Sequence, residues 1–280
     1  MVRQNDWKLS VKVCRESIRK LSGDARIAAI IILVSLFEWV LIEALRTECV
    51  VSGLSISSWF FVFLFDGIQA LFYYFGVLLL FCDAPFADNQ QMDVILRVGK
   101  KNWFRGKILY IFTASILYFL LLYVISIVEF IPYVGFSLNW EEFINMRSLK
   151  GDVVIRRVIV SNYKPLEAFG VQMIVCILFA VFLGLIIFFF NMYKNKTLGA
   201  GIALVMVLMD TILNLVDLGK ARLLVYFIPM AWTDIAVYKK ETGGVPFWYP
   251  VTVYCVGIMV LVALIMRKSK SYSIECQEDM

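Results

Sequence analysis

The sequence contains no histidine in 280 residues. That takes away the commonest metal ligand and the usual general base near neutral pH. Cysteine is sparse and scattered: Cys14, Cys49, Cys82, Cys176, Cys255 and Cys276 form no Cys-x-x-Cys pair. Only Cys49 falls in a segment expected on the outer side of a membrane, so a disulfide framework is not expected. No Gly-x-x-x-x-Gly-Lys-Ser/Thr stretch occurs, so the chain has no P-loop with which to bind ATP. A cleavable leader is not expected either. The first 26 residues are basic and amphipathic, without a small-residue cleavage site after a short apolar run. The first apolar span should itself act as the insertion signal. No cofactor or metal is expected.

Apolar side chains are what the chain has in excess. They make up 61% of it, with a mean hydropathy of +0.80, against about 45–50% in a soluble domain. Lipid must therefore be the main solvent, and a bilayer core of about 30 Å needs about 20 apolar residues per helix. Six runs meet or approach that length: Ile27 to Leu45, Trp59 to Cys82, Ile108 to Tyr133, Ala168 to Tyr193, Thr197 to Leu218 and Pro246 to Met266. The expected fold is all-α: a polytopic membrane protein with six transmembrane helices in one domain over residues 1–280. An N-terminal amphipathic interfacial helix and a re-entrant segment before the last helix complete it. The net charge of +5 calls for no nucleic-acid partner, because basic residues gather in cytoplasmic loops. Of the 27 Lys and Arg, 17 fall in 1–26, 83–107, 194–196 and 267–280, and 10 in 46–58, 134–167 and 219–245. This asymmetry favours both termini in the cytoplasm.

Two flanking segments stand out. In residues 6 to 21, Trp7, Val11, Cys14, Ile18 and Leu21 share one helical face and most of the cations lie elsewhere. Such a helix is expected to lie in the interface, apolar face down. Leu223 to Trp232 is apolar but too short to cross, and Pro229 breaks it. It is expected to dip into the outer leaflet and return, sheltered by neighbouring helices. The other reading is a surface loop rich in interfacial aromatics.

Charged groups inside spans are expensive unless paired or wetted. Glu38 lies mid-way along the first span and Asp66 a third of the way into the second. Asp210 and Asn214 sit four apart on one face of the fifth. They read either as the polar lining of a substrate route or as hydrogen-bonding groups between helices. Enzyme motifs fail. Glu141-Glu142 followed by Arg147 is similar to the glutamate pair of intramembrane CAAX-type proteases, but the spacing is one residue too long and the required histidines are missing. The chain is not expected to be an enzyme by itself.

Between the second and third spans, Asp88 can cap a short helix and Gly99 can end it. Val94, Ile95 and Val98 would share a face of that helix. With Asp93, Ile95, Leu96, Arg97 and Gly99, then Trp103, Arg105, Gly106 and Lys107 leading into the next span, this stretch resembles the cytoplasmic loop of bacterial ABC-2 type transporter permeases. The resemblance implies an ATP-driven exporter of the plasma membrane, working as two permease copies or a related pair. A separate ATPase subunit would touch Asp93, Val94, Ile95, Arg97 and Val98. Glu38, Asp66, Asp210 and Asn214 would then face the pathway of a hydrophobic or amphipathic cargo such as a peptide, drug or lipid. The alternatives are an ion-coupled secondary transporter using Glu38, Asp66 or Asp210, and a membrane assembly factor that transports nothing.

Overall fold

In hydrocarbon every backbone N–H and C=O needs a partner within the protein, so apolar runs of this length fold as helices. A computed structural model describes residues 2–21, 23–65, 67–84, 89–150, 155–193, 197–215, 222–239 and 244–271. It is nearly all helix. The order is α1 (Val2–Leu21), α2 (Ala25–Ser52), β1 (Ile56–Ser57), a 3-10 helix (Ser58–Leu64), α3 (Gly67–Phe81), α4 (Asn89–Val98) and α5 (Lys100–Phe130). Then come β2 (Val134–Gly135), α6 (Glu142–Leu149), α7 (Arg157–Asn162), α8 (Pro165–Asn191), α9 (Leu198–Leu215), three 3-10 turns (Arg222–Phe227, Pro229–Thr233, Ile235–Lys239) and α10 (Trp248–Lys268).

Among the described residues, four helices are long and apolar enough to cross a membrane: α2, α5, α8 and α10. The chain is a multi-pass membrane protein on that ground. Helix α8 is the hub, packed by α3, α5, α9 and α10. Pro165 starts it, where a missing N–H costs nothing. Helices α2 and α10 lie outside and show apolar faces, with Leu36 and Val40 on one and Met259 and Val260 on the other exposed. Those are the surfaces lipid would wet.

Of the remaining two runs, one differs from an expected simple span. Residues 59–82 are broken: the Ser58–Leu64 helix and α3 meet at 91°. Packing holds the first limb in place. Phe60 meets Phe130 at 4.3 Å, Phe63 meets Trp140 at 5.3 Å, and Ile56 pairs in parallel with Val134 of the α5–α6 connection. Helix α9 has 18 residues, about 27 Å at 1.5 Å per residue. Helix α2 runs past Leu45 to Ser52, so the expected outer loop from Arg46 starts later. The charges in this extension have partners. Arg46 stacks on the Trp39 ring at 4.2 Å, and Glu48 pairs with Arg147 at 2.6 Å.

Helix α1 packs along the first turns of α5, and its buried face is Ser10, Val13, Cys14 and Ser17. Trp7 and Val11 of the expected apolar face are exposed and available to lipid. Ser10 donates to the Asp6 carbonyl at 3.1 Å and Ser17 to the Val13 carbonyl at 3.0 Å, so both hydroxyls can be turned inward.

Candidate functional site

Helix α4 is ten residues long and ends at Gly99, with φ +81°. A side chain rarely adopts that conformation, so glycine allows the turn. The Gly99 N–H donates to the Ile95 carbonyl at 2.9 Å, and the Gly99 carbonyl accepts from Trp103 N–H at 3.1 Å. One residue thus ends α4 and starts α5. Asn102 Nδ2 donates to the Val98 carbonyl at 3.0 Å and to Asp6 Oδ1 at 3.4 Å, which ties in α1. Val94, Ile95 and Val98 are half-buried against the core, whereas Asp93, Arg97 and Leu96 (83% exposed) face out. The residues expected to meet a partner therefore divide. Val94, Ile95 and Val98 anchor the helix, and Asp93, Leu96 and Arg97 present its free surface. Asp88, expected to cap the helix, lies outside the described residues.

The elements around α4 are cross-tied. Arg26 of α2 pairs with Asp83 after α3. Lys107 of α5 is buried, donates to Ser17 Oγ at 3.1 Å and sits 5.5 Å from the Trp103 ring centroid. Asn191, at the end of α8, donates to the carbonyls of Cys82 and Ala84 at 3.1 and 2.8 Å. Its Oδ1 accepts from Gly199 N–H at 2.9 Å. One amide thereby holds the ends of α3 and α8 and the start of α9. Asn191 was not among the expected site residues. Its sequence signal is a lone amide closing a long apolar run.

At span level the structure buries Glu38 completely. Its carboxyl faces the Tyr73 hydroxyl of α3, and the Glu129 carboxyl of α5 is also a neighbour. Neither carboxyl oxygen of Glu38 reaches full hydrogen-bond geometry with a described residue. Tyr118 of α5 donates to the Tyr73 carbonyl at 2.7 Å, through space left by Gly76. Asp210 is half-buried on α9, which packs against α3 and α8. Asn214 lies one turn further along α9. Asp66 lies outside the described residues.

Residues 222–239 form three short turns whose carbonyls are met by side chains of the spans. Tyr254 of α10 donates to Pro229 O at 2.7 Å, Tyr249 to Tyr226 O at 3.0 Å, and Gln172 of α8 to Thr233 O at 2.5 Å. Ile228, Met230 and Trp232 are buried. Arg156, ahead of α7, pairs with Asp234 at 2.5 Å and joins the outer connection to this segment. These anchors were missed in the sequence, where a tyrosine or glutamine in an apolar run gives no sign of the carbonyl opposite. No family model, curated protein or solved structure matches the chain.

Proposed function

We propose that the chain is the membrane subunit of an ATP-driven exporter whose ATPase is a separate polypeptide. Six crossings, with the bent 58–81 pair and α9 counted among them, would place both termini in the cytoplasm. The basic residues at the α1, α4 and α10 ends support that orientation. The observation that carries the reading is α4: a short helix locked to α5 through Gly99 and to α1 through Asn102, offering Asp93, Leu96 and Arg97 outward. A push on that face would pass through the elbow into α5 and, across the seam, into α1. ATP binding would close the ATPase pair and bias the pathway between two permease copies toward one side. In this scheme residues 222–239 re-enter the outer leaflet. The carbonyl–side-chain bonds to α8 and α10 support that, since irregular backbone at membrane depth must be satisfied by protein. The cargo would be hydrophobic or amphipathic.

The test is purification from the native host, followed by a search for a bound nucleotide-hydrolysing subunit. The double variant Leu96→Asp with Arg97→Glu should release that subunit from a folded membrane protein, because both side chains are exposed. Ile95→Asp should instead destabilise the protein itself by about 1–3 kcal/mol through a half-buried, unpaired carboxylate. A native complex with no ATPase would sink the proposal. So would an ATPase retained after the double change.

One observation favours a second reading. The enclosed Glu38, with Tyr73 beside it and Glu129 beyond, is the kind of intramembrane acid that carries a coupling proton. An ion-coupled transporter would keep working without ATP, stop with an uncoupler, and lose coupling on Glu38→Gln.

A further inference from the structure

Helices α1, α5 and α10 enclose a cavity of about 990 Å³ where α5 begins and α10 ends. Five cations line it: Lys100, Lys101 and Arg105 from the first turns of α5, and Arg267 and Lys270 at the end of α10. Among the described residues no acidic side chain lines the cavity, and Lys101, Arg105, Arg267 and Lys270 enter none of the ion pairs. The rest of the wall is apolar, with Leu109, Val262 and Met266, and Trp7 of α1 lines it as well.

Basic ends alone are what the charge rule requires of any membrane protein. Cations from two helices distant in sequence, converging over an apolar cleft, go beyond that rule. The order along the helices matters as well. Lys101 and Arg105 precede Leu109 on α5, and Arg267 and Lys270 follow Val262 and Met266 at the end of α10, the order in which a phospholipid presents its phosphate and then its acyl chains. The neighbouring outer face of α10 continues this aliphatic surface through Val260 and Leu264, both exposed. A soluble anion would need only the cations and would leave the apolar wall wet. A zwitterionic lipid would bring its own ammonium group against them.

We propose that this cleft is a binding site for an anionic phospholipid. The phosphodiester would lie among Lys101, Arg105, Arg267 and Lys270, and an acyl chain along Leu109, Val262 and Met266. The occupant would brace α10 against α5 and α1. The site stands independently of the ATPase reading, since it needs only the membrane chain.

The experiment uses the full chain in mild detergent, titrated with dioleoyl phosphatidylglycerol or dioleoyl phosphatidylcholine and read by native mass spectrometry and thermal unfolding. Phosphatidylglycerol should be retained and should raise the unfolding midpoint, and phosphatidylcholine should do neither. Lys101→Gln with Lys270→Gln, both solvent-facing changes, should weaken retention at least tenfold, since each cation near the surface contributes roughly fivefold. Met266→Asp should also abolish retention if the chain lies where we place it, and the glutamine pair keeps the proposal testable should that variant fail to fold. Equal retention of the two lipids would overturn the site. So would unchanged phosphatidylglycerol binding in the glutamine pair, or an equal midpoint rise with glycerol phosphate alone.

Discussion

Gly106 of α5 meets Val13 of α1 with no room for a side chain between them. A Cβ built on Gly106 would stand 2.6 Å from the Val13 Cβ and 2.8 Å from the Ser10 carbonyl oxygen. The two helices approach this closely along a seam that also holds Lys107 against Ser17 and Cys14 against Thr113, 3.8 Å apart. A basic N-terminal helix is thereby built into the bundle and not merely laid beside it.

Gly106→Leu should push α1 off α5. Overpacking of a closed contact costs about 1–3 kcal/mol, and the α1 backbone has no comparable second seat. Limited trypsin digestion would read it: cleavage within α1 at Arg15 or Arg19 should rise several-fold over wild type, with the later spans intact. The same digestion should show a smaller effect for Gly106→Ala. An unchanged α1 would mean that the seam contributes little.

How much of this was legible beforehand differs from element to element. Gly99 marked the end of α4 because a glycine after a mixed helix is a local signal, and its positive φ uses that freedom directly. The apolar runs of α2, α5, α8 and α10 were equally plain. The face α1 turns inward was not legible. Periodicity marked the apolar face with Trp7 and Val11 but gave no sign that Ser10 and Ser17, whose hydroxyls are satisfied along their own helix, would pack against α5. The extra turns of α2 were hidden for a related reason. Arg46 and Glu48 look like loop residues until Trp39 and the distant Arg147 are placed beside them. For the site, Glu38 announced itself as an acid in an apolar run. Tyr73 and Asn191 did not, because their roles depend on contacts between helices.

Glu141, between β2 and α6, gives a pH test outside the spans. Burial raises its carboxyl above the usual range, against the lowering influence of the Ser137 and Ser55 hydroxyls. Its Oε2 has no hydrogen-bond partner among the described residues. A folded-state pKa above the unfolded one means the folded protein holds this proton more tightly. Stability from the group is then fully present below the unfolded value, about 4.3, and is lost as pH rises through the higher folded value. Unfolding midpoints in detergent should fall from acid toward neutral pH by more in the wild type than in Glu141→Gln. Parallel pH profiles for the two proteins would contradict the assignment.

The last test concerns the proline-broken turns. Tyr254 reaches from α10 to the Pro229 carbonyl at 2.7 Å, and its ring is packed by Trp232 at 5.4 Å and Phe179 at 5.7 Å. Tyr254→Phe keeps those rings and removes only the donor. A single side-chain hydrogen bond between packed membrane helices contributes about 0.6 kcal/mol, up to about 1.7, so the bundle should stay folded. The local effect should be larger in proportion, because the Pro229 carbonyl loses its side-chain donor in an apolar setting. Hydrogen exchange should therefore quicken for amides of residues 224–235 by roughly threefold to fifteenfold, with exchange along α8 unchanged. Adding Gln172→Leu removes the bond to Thr233 O and should deepen the effect on the same amides. If the turns exchange no faster in the double variant, their backbone is held by something other than these two side chains, and re-entry into the outer leaflet loses its physical support.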